Sequence, residues 1–354
     1  MHDQNKSRAT AIQDIERQGI SVCLIFRNEE QNILRCLSSI TSPVSNWELI
    51  LINNASTDRS LDLITTYSKA HPELTIRVLY SHENNLAQSR RRCVAEAKFG
   101  MIAFIDADCE APAEWLTTLS TSLQLGRLLN SRLAGVGGGQ VPSAKRCSFN
   151  YALELFVNNR FVTTRSSQLR SASNFSSAFH IATCNAIFEK SALISSDSFD
   201  QKFGRVCEDV DMGWRLYKSG YFLEKIREPT VIHHHRPSCR AWVLKIFRYS
   251  KGHVQLLFVH RRHYTPQLLT PLALGLTLLL TIALSRQVFV ILLSLYVAGA
   301  ACLSIFHLPP QTPIKIRMYF FQIVIGSHSA AILGQMMGLL CESMEFSIRL
   351  CARR

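Results

Sequence analysis

Two charge-free apolar stretches, Pro266–Ser285 and Gln287–Phe306, stand back to back with only Arg286 between them. Each has about the 20 residues that carry a helix across a bilayer. A soluble core can bury one such helix, but two in succession predict a membrane hairpin whose ends emerge on one side. A third stretch, Met318–Leu340, is also uncharged but carries Gln322, Ser327, His328, Ser329 and Gln335. It is expected to span, to re-enter or to lie buried against the other two. Arg261, Arg262, Lys315 and Arg317 flank the hairpin, against Arg286 in its turn. This cation bias predicts a multi-pass protein of the inner (plasma) membrane whose preceding residues stay cytosolic.

Composition narrows what those preceding residues can be. Of 354 residues 47% are hydrophobic and 18% charged, too apolar for a disordered chain. The 39 Lys and Arg outnumber the 26 Asp and Glu, for a net charge of +13, which predicts a polyanionic partner: nucleic acid, an anionic membrane surface or phosphorylated substrates. Eleven cysteines are scattered without a CxxC pair, so neither a disulfide framework nor a zinc ribbon is expected, and they read as reduced, buried small hydrophobes. The polar start, 1–19, holds no apolar core of a signal peptide. The sequons at Asn5, Asn54 and Asn174 carry no weight on a cytosolic face.

From residue 20 to about 130, apolar runs alternate with helical stretches. Ile20–Phe26, Trp47–Ile52, Thr75–Tyr80 and Met101–Ile105 read as strands, and Glu29–Ile40, Asp58–Lys69 and Asn84–Phe99 as the helices between them. Such alternation predicts a parallel, doubly wound α/β sheet with ligands at the carboxyl ends of the strands. Polar residues gather at those ends: Arg27, Asn28 and Glu29 after the first strand, Asn53 and Asn54 after the second, Asp106 and Asp108 after the fourth.

The pair Asp106 and Asp108, two residues apart at a strand end, suits one hard divalent cation bridging a diphosphate; an ordinary helix cap is the plainer reading. Downstream come Gly135 and Gly137 to Gly139, then Thr183-Cys-Asn185, then Glu208-Asp209-Val-Asp-Met-Gly-Trp-Arg215, then His233-His-His235-Arg236. The glycines lack a following Gly-Lys-Ser/Thr and are expected to form a tight backbone turn beside the ligand rather than a phosphate loop.

In their order and spacing these segments resemble a family 2 glycosyltransferase of the GT-A fold, over about residues 20–255. The resemblance implies inverting transfer of a sugar from a nucleotide-diphosphate sugar donor. It places Arg27, Glu29, Asn53, Asn54, Asp106 and Asn185 in the donor pocket, with Asn53 and Asn54 standing where Asp is commoner. It makes Asp108, with Asp106 and His233, the ligands of Mg²⁺ or Mn²⁺. Inversion needs a base opposite the leaving diphosphate. Adjacent side chains at a helix start point about 100° apart, so only one of Glu208 and Asp209 can face the acceptor; the resemblance picks Asp209. Favourable placement of acids at a helix N-terminus is the alternative explanation of that pair.

Between Arg240 and His260, Val243, Ile246, Phe247, Val254, Leu257 and Phe258 recur at helical spacing, which predicts an interfacial helix. Lys225 to Arg262 holds nine Lys or Arg against Glu228 alone, a belt suited to anionic membrane lipids or a lipid-linked pyrophosphate. The expected organisation is therefore a polar extension (1–19), a GT-A domain (20–237), a basic interfacial helix (238–264) and a membrane region (265–354). The apolar tail resembles that of enzymes of exopolysaccharide or surface-glycan assembly, so the acceptor is expected to be lipid-linked (polyprenyl-diphosphate) and other glycan-assembly proteins are possible partners. Transfer onto polyprenyl phosphate itself, and a catalytically silent scaffold, are the alternatives. No nucleic-acid partner is expected, since the belt abuts the membrane segment and no recognition motif accompanies it.

Overall fold

The computed structural model describes residues 17–42, 45–143, 147–157, 159, 175–204, 206–234, 238–261 and 270–351. In chain order the first elements are β1 (Ile20–Phe26), α1 (Ile33–Ser39), β2 (Trp47–Asn54), α2 (Ser60–Ala70), β3 (Ile76–Ser81), α3 (Leu86–Glu96), β4 (Met101–Asp106), β5 (Cys109–Glu110), α4 (Trp115–Leu129) and β6 (Leu133–Pro142). There follow α5 (Ser148–Val157), β7 (Phe175–Ala178), β8 (Asn185–Glu189), α6 (Lys190–Ser195), a 3₁₀ turn (Gln201–Phe203), α7 (Glu208–Lys218) and β9 (Phe222–His233). The rest is helical: α8 (Cys239–His260), α9 (Thr270–Leu284), α10 (Arg286–Cys302) with a π turn (Leu303–His307), and α11 (Ile314–Cys351).

These elements divide into two compact units that do not follow chain order. One comprises 1–141 and 167–234; the other comprises 142–166 and 235–354, so α5 groups with the C-terminal helices.

Among the described residues of the first unit, nine strands form one sheet in the order β3-β2-β1-β4-β8-β6-β9-β5, with β7 paired to β9. β1 pairs with β2 and β4, and β2 with β3, all parallel. Both β1 and β4 are nearly unbroken apolar runs buried along their length, as strands covered by helices on both faces must be. One layer of core gathers Leu24, Ile33, Leu37, Trp115 and Leu119; the other gathers Ile50, Phe104, Phe188 and Phe199.

The parallel expectation holds for β1 to β4 and stops there, since β8 enters antiparallel to β4 and β6 antiparallel to β8. β2 and β4 also run two and one residues longer than periodicity predicts. β2 continues through Asn54 and β4 through Asp106, so the polar residues expected just beyond the strands occupy their last rungs.

The glycines at 135 and 137 to 139 correct the sequence reading: they lie inside β6 and form no turn. What they supply is close approach. A Cβ on Gly135 would meet the Phe188 ring at 2.4 Å, and one on Gly138 would meet Pro229 O at 2.1 Å and Asn185 Nδ2 at 2.5 Å.

In the second unit α8 runs along α11 at backbone contact. A Cβ on Gly326 would lie 2.7 Å from Val243, one on Gly334 2.3 Å from Phe247 O, and one on Gly338 3.0 Å from Val254 and Lys251 O. The apolar stripe of α8 expected to face lipid is thus partly taken up by packing on α11. The polar residues of α11 are pinned to three different helices. Ser327 Oγ accepts from Trp242 Nε1 at 2.9 Å, His328 Nδ1 meets Tyr296 OH at 2.9 Å, and Gln335 Oε1 accepts the Leu272 N–H at 2.7 Å, satisfying a first-turn donor of α9.

Arg286–His307 and Ile314–Glu345 are long and apolar enough to cross a membrane, whereas the described part of the first apolar stretch is a helix of 15 residues. Leucines and valines along α9 and α10 are widely exposed, Leu284 at 76% and Leu295 at 65%.

Gly138→Ala is expected to destabilise the first unit by about 1–3 kcal/mol, because its obstacles are backbone and a fully bonded side chain that cannot yield. Gly299→Ala, in an exposed helical position with open space, is expected to be neutral or stabilising by up to about 1 kcal/mol. Urea unfolding of both variants checks the contrast.

Candidate functional site

The first rim of the site is a pair of loops sewn together by backbone donors. After β1 the chain turns through Asn28 at φ 55°, a left-handed conformation that Asn tolerates better than most residues. Its N–H donates to Ser56 Oγ at 3.1 Å and its Oδ1 accepts from Thr57 N at 2.8 Å. The N–H groups of Glu29 and Glu30 donate to Ser60 Oγ and Asp58 Oδ2 at 2.8 and 3.0 Å. Slight burial raises the Asp58 carboxyl, but the Ser60 hydroxyl and backbone donors outweigh it and hold the group below its usual range.

Arg27 is half-buried beside this seam. Glu29 turns back to accept from Asn32 Nδ2 at 2.9 Å. Asn53 and Asn54 are both buried; Asn53 Oδ1 is taken by the Ser56 N–H at 2.8 Å, while Asn54 Oδ1 has no hydrogen-bond partner among the described residues.

The second rim is acidic. Asp106, Asp108 and His233 offer ligand atoms that all lie within 4.8 Å of one another. His233 Nδ1 sits 2.6 Å from Gln140 Oε1, and its Nε2 sits 3.1 Å from Asp108 Oδ1. An Nδ1–H donated to Gln140 leaves the Nε2 lone pair facing a carboxylate oxygen. Two acceptors at that distance call for a proton or a cation between them. Two carboxylates and one imidazole form a donor set that a Mg²⁺- or Mn²⁺-sized ion accepts.

Cys109 and Cys184 adjoin the same imidazole: both thiols and a His233 nitrogen lie within 4.8 Å of one another. Hydrogen bonding to Cys109, and less strongly to His233, pulls the Cys184 thiol down to about 7 against the opposing effect of burial. The neighbouring His234 meets Glu110 Oε2 at 3.0 Å through Nε2 and donates its N–H to Asp108 O at 2.8 Å. His235 and Arg236 fall outside the described residues.

Glu208 and Asp209 open α7 after Cys207, whose φ of 61° breaks the approach. The two carboxylates are held differently. Glu208 forms a buried ion pair with Arg90 of α3, and the same guanidinium reaches Asp106 Oδ1 at 3.3 Å. Glu208 Oε2 is buried with no hydrogen-bond partner among the described residues. Asp209 Oδ1 accepts its own helix's Val210 N–H at 2.9 Å. His180 packs one turn further along, on Gly213. Burial depresses the His180 pKa, Asp209 raises it and Lys225 lowers it again, for a net fall that keeps the ring neutral near pH 7. Burial likewise brings Lys225 down to about 8. The third acid, Asp211, is fully buried and bonds Arg215 Nε at 2.8 Å, which in turn reaches Asp200 at 2.7 Å.

Arg90 is absent from the sequence reading. Its signal was spacing: Ala87, Arg90, Cys93, Val94 and Ala97 recur every three or four residues along the buried face, and a charge there needs a buried partner.

Asn185 is held by a network of its own. Its Oδ1 accepts from Trp115 Nε1 at 2.8 Å, and its Nδ2 donates to Gly139 O and Pro229 O at 2.7 and 2.8 Å. Both amide donors are engaged within the protein, so this side chain ties β6, β8, β9 and α4 together.

The sequence model for glycosyl transferase family 2 matches residues 21–195, about half of the chain. Residues 21–195 belong to glycosyltransferase family 2. Arg27, Asn53, Asp106, Asp108 and Asn185 fall within the matched segment, and Glu208, Asp209 and His233 beyond it. Glycosyltransferase AglE of Haloferax volcanii is 29% identical over 100 residues, which are 27% of this chain and 33% of that protein. The poly(ribitol-phosphate) beta-glucosyltransferase of Bacillus spizizenii is 27% identical over 155 residues, 41% of this chain and 24% of that protein. The matches thus span a third or less of these two glycosyltransferases.

A longer likeness, 20% identity over 329 residues, covers 87% of this chain and 94% of the dolichyl N-acetyl-alpha-D-glucosaminyl phosphate 3-beta-D-2,3-diacetamido-2,3-dideoxy-beta-D-glucuronosyltransferase of Methanococcus voltae. Among solved structures, the mannosyltransferase PcManGT of Pyrobaculum calidifontis, in complex with GDP-Man and Mn²⁺, aligns with a TM-score of 0.59 at 15% identity. That alignment covers 94% of this chain and 95% of the mannosyltransferase, and it shows a shared GT-A fold.

Removing one member of a buried ion pair strands the other's charge. Arg90→Met is expected to cost about 3–5 kcal/mol of stability, and the double variant Arg90→Met/Glu208→Leu to recover much of the loss. Denaturant unfolding of the two single variants and the double variant measures the coupling.

Proposed function

We propose that this chain is an inverting, metal-dependent glycosyltransferase that moves a sugar from a nucleotide-diphosphate donor to a lipid-linked glycan acceptor at the cytosolic face of a membrane. The observation that carries the reading is the convergence of Asp106, Asp108 and His233 beside an acid pair in which Arg90 fixes one carboxylate and leaves the other outside that ion pair. The GDP-Man and Mn²⁺ bound to the mannosyltransferase support the donor and the metal. The dolichyl-linked acceptor in the Methanococcus voltae relative's name supports a lipid-linked acceptor.

In this reading Arg27, Glu29 and Asn54 line the nucleotide end, with Asn53 shaping its loop. Asp106, Asp108 and His233 hold Mg²⁺ or Mn²⁺, which when bound supplies positive charge to the departing diphosphate. Asp209 takes the proton of the acceptor hydroxyl, because Glu208 is committed to Arg90.

The exposed apolar α9 and α10 enter the bilayer, and the cations of α8 meet anionic headgroups. α11 lies with α8 at that surface. Its glycines pack on a helix carrying Lys245, Arg248 and Lys251, and burying those charges at bilayer depth would cost about 2.5–3.5 kcal/mol each.

Asp209→Asn is expected to lower the single-turnover rate about 10²- to 10⁴-fold with donor affinity retained by calorimetry, and Glu208→Gln to lower it less. Chelator should abolish wild-type turnover and added Mn²⁺ or Mg²⁺ restore it. Near-wild-type turnover of Asp209→Asn, or full activity in chelator, refutes the mechanism. Mass analysis of the product lipid separates extension of a lipid-linked glycan from loading of a bare polyprenyl phosphate.

The surface assignment has its own check. Replacing Arg240, Lys245, Arg248 and Lys251 with Gln is expected to weaken binding to anionic vesicles by about 1 kcal/mol per cation, while binding to zwitterionic vesicles, carried by α9 and α10, is unchanged. Vesicle flotation measures both.

A further inference from the structure

His233 belongs to two groups of metal-competent side chains. The first, with Asp106 and Asp108, offers hard oxygen donors; the second, with Cys109 and Cys184, offers two thiols. The second group is built into the sheet. Cys109 stands directly across from His233 in the antiparallel register of β5 and β9, and Cys184 immediately precedes β8. Exposures of 1% for Cys109, 5% for Cys184 and 7% for His233 set this cluster apart from an accidental surface grouping.

We propose that Cys109, Cys184 and His233 form a second, thiophilic metal site that takes Zn²⁺ and, when filled, silences the hard-ion site. The proposal rests on the reading of Asp106, Asp108 and His233 as the site of the catalytic cation. Two thiolates and an imidazole are a common donor set for zinc and a poor one for Mg²⁺. Binding releases two thiol protons, so the two thiolates balance the ion's charge. With Zn–S near 2.3 Å, tetrahedral sulfurs stand about 3.8 Å apart, so groups within 4.8 Å close onto the ion by side-chain movements of about 1 Å. The fourth position is left to water.

The shared imidazole couples the sites. A neutral ring has one lone-pair nitrogen, and Gln140 already engages Nδ1, so His233 serves one ion at a time. A chain reading as a metal-dependent transferase would thereby be inhibited by a thiophilic ion at the same residue that its activating ion needs.

The test begins without turnover. Wild-type protein loaded with one equivalent of Zn²⁺ is expected to show two sulfur neighbours at about 2.3 Å by metal-edge X-ray absorption. Co²⁺ should give thiolate-to-metal charge-transfer absorption that is weakened in Cys109→Ser and in Cys184→Ser, lost in the double variant Cys109→Ser/Cys184→Ser, and kept in Asp108→Asn. In turnover assays with Mn²⁺, Cys184→Ser should raise the Zn²⁺ concentration for half-inhibition by at least about 10-fold.

A first shell of oxygen and nitrogen alone in the wild-type protein overturns the proposal whether or not the serine variants fold. So does charge transfer that persists undiminished in the double serine variant, or that vanishes in a folded Asp108→Asn. Because the spectroscopy needs no substrate, it stands even if the proposed transferase activity fails.

Discussion

The site is organised around one buried guanidinium. Arg90, 2% exposed, holds Glu208 at the start of α7 and reaches Asp106 at the end of β4. A cation taken out of water is tolerable only among acids, and acids crowded this closely are tolerable only around a cation. The consecutive elements α3 and β4 are therefore tied by charge to α7, more than a hundred residues further along the chain. The same pair holds the two adjacent acids differently: Glu208 is tied to Arg90, and Asp209 lies outside that ion pair.

Around that point the sheet acts as a ruler. Parallel pairing of β1, β2 and β4 brings Phe26, Asn53 and Asp106 to one edge, and antiparallel pairing of β5 with β9 delivers His233 opposite Cys109. Gly138 lets β6 approach closely enough for Asn185 to bond both Gly139 and Pro229. Asn185 thus helps to hold this register, while Asp211 is engaged by Arg215 of its own helix. Asn54 Oδ1 and Glu208 Oε2, by contrast, are buried without a hydrogen-bond partner among the described residues.

The parallel half of the fold was legible because continuous apolar strands and polar strand ends both follow from burial on two faces. The antiparallel half was not: β5 has two residues, β6 is rich in glycine, and neither carries a period to read. The acids and His233 were legible as a set through their order along the chain. Arg90 was not, because in Ser89-Arg90-Arg91-Arg92 nothing but helical phase separates one buried arginine from two exposed ones. The bonds of Asn185 were illegible for a related reason: a carboxamide's residue type does not reveal whether its donors are already used.

The same distinction governs α11. A polar residue in an apolar helix reads first as a transport or binding residue. Here Ser327, His328 and Gln335 each bond a different neighbouring helix, and the Gln335 carbonyl satisfies a main-chain donor at the start of α9. Their chemistry is consumed by helix-to-helix pairing, in keeping with glycines that admit α8 to backbone contact. A helix chosen to insert independently would expose an unbroken apolar surface, as α10 does. α11 instead spends its polarity and its small residues on protein neighbours, the composition of a helix whose partner carries charge and whose place is against that partner rather than alone in lipid.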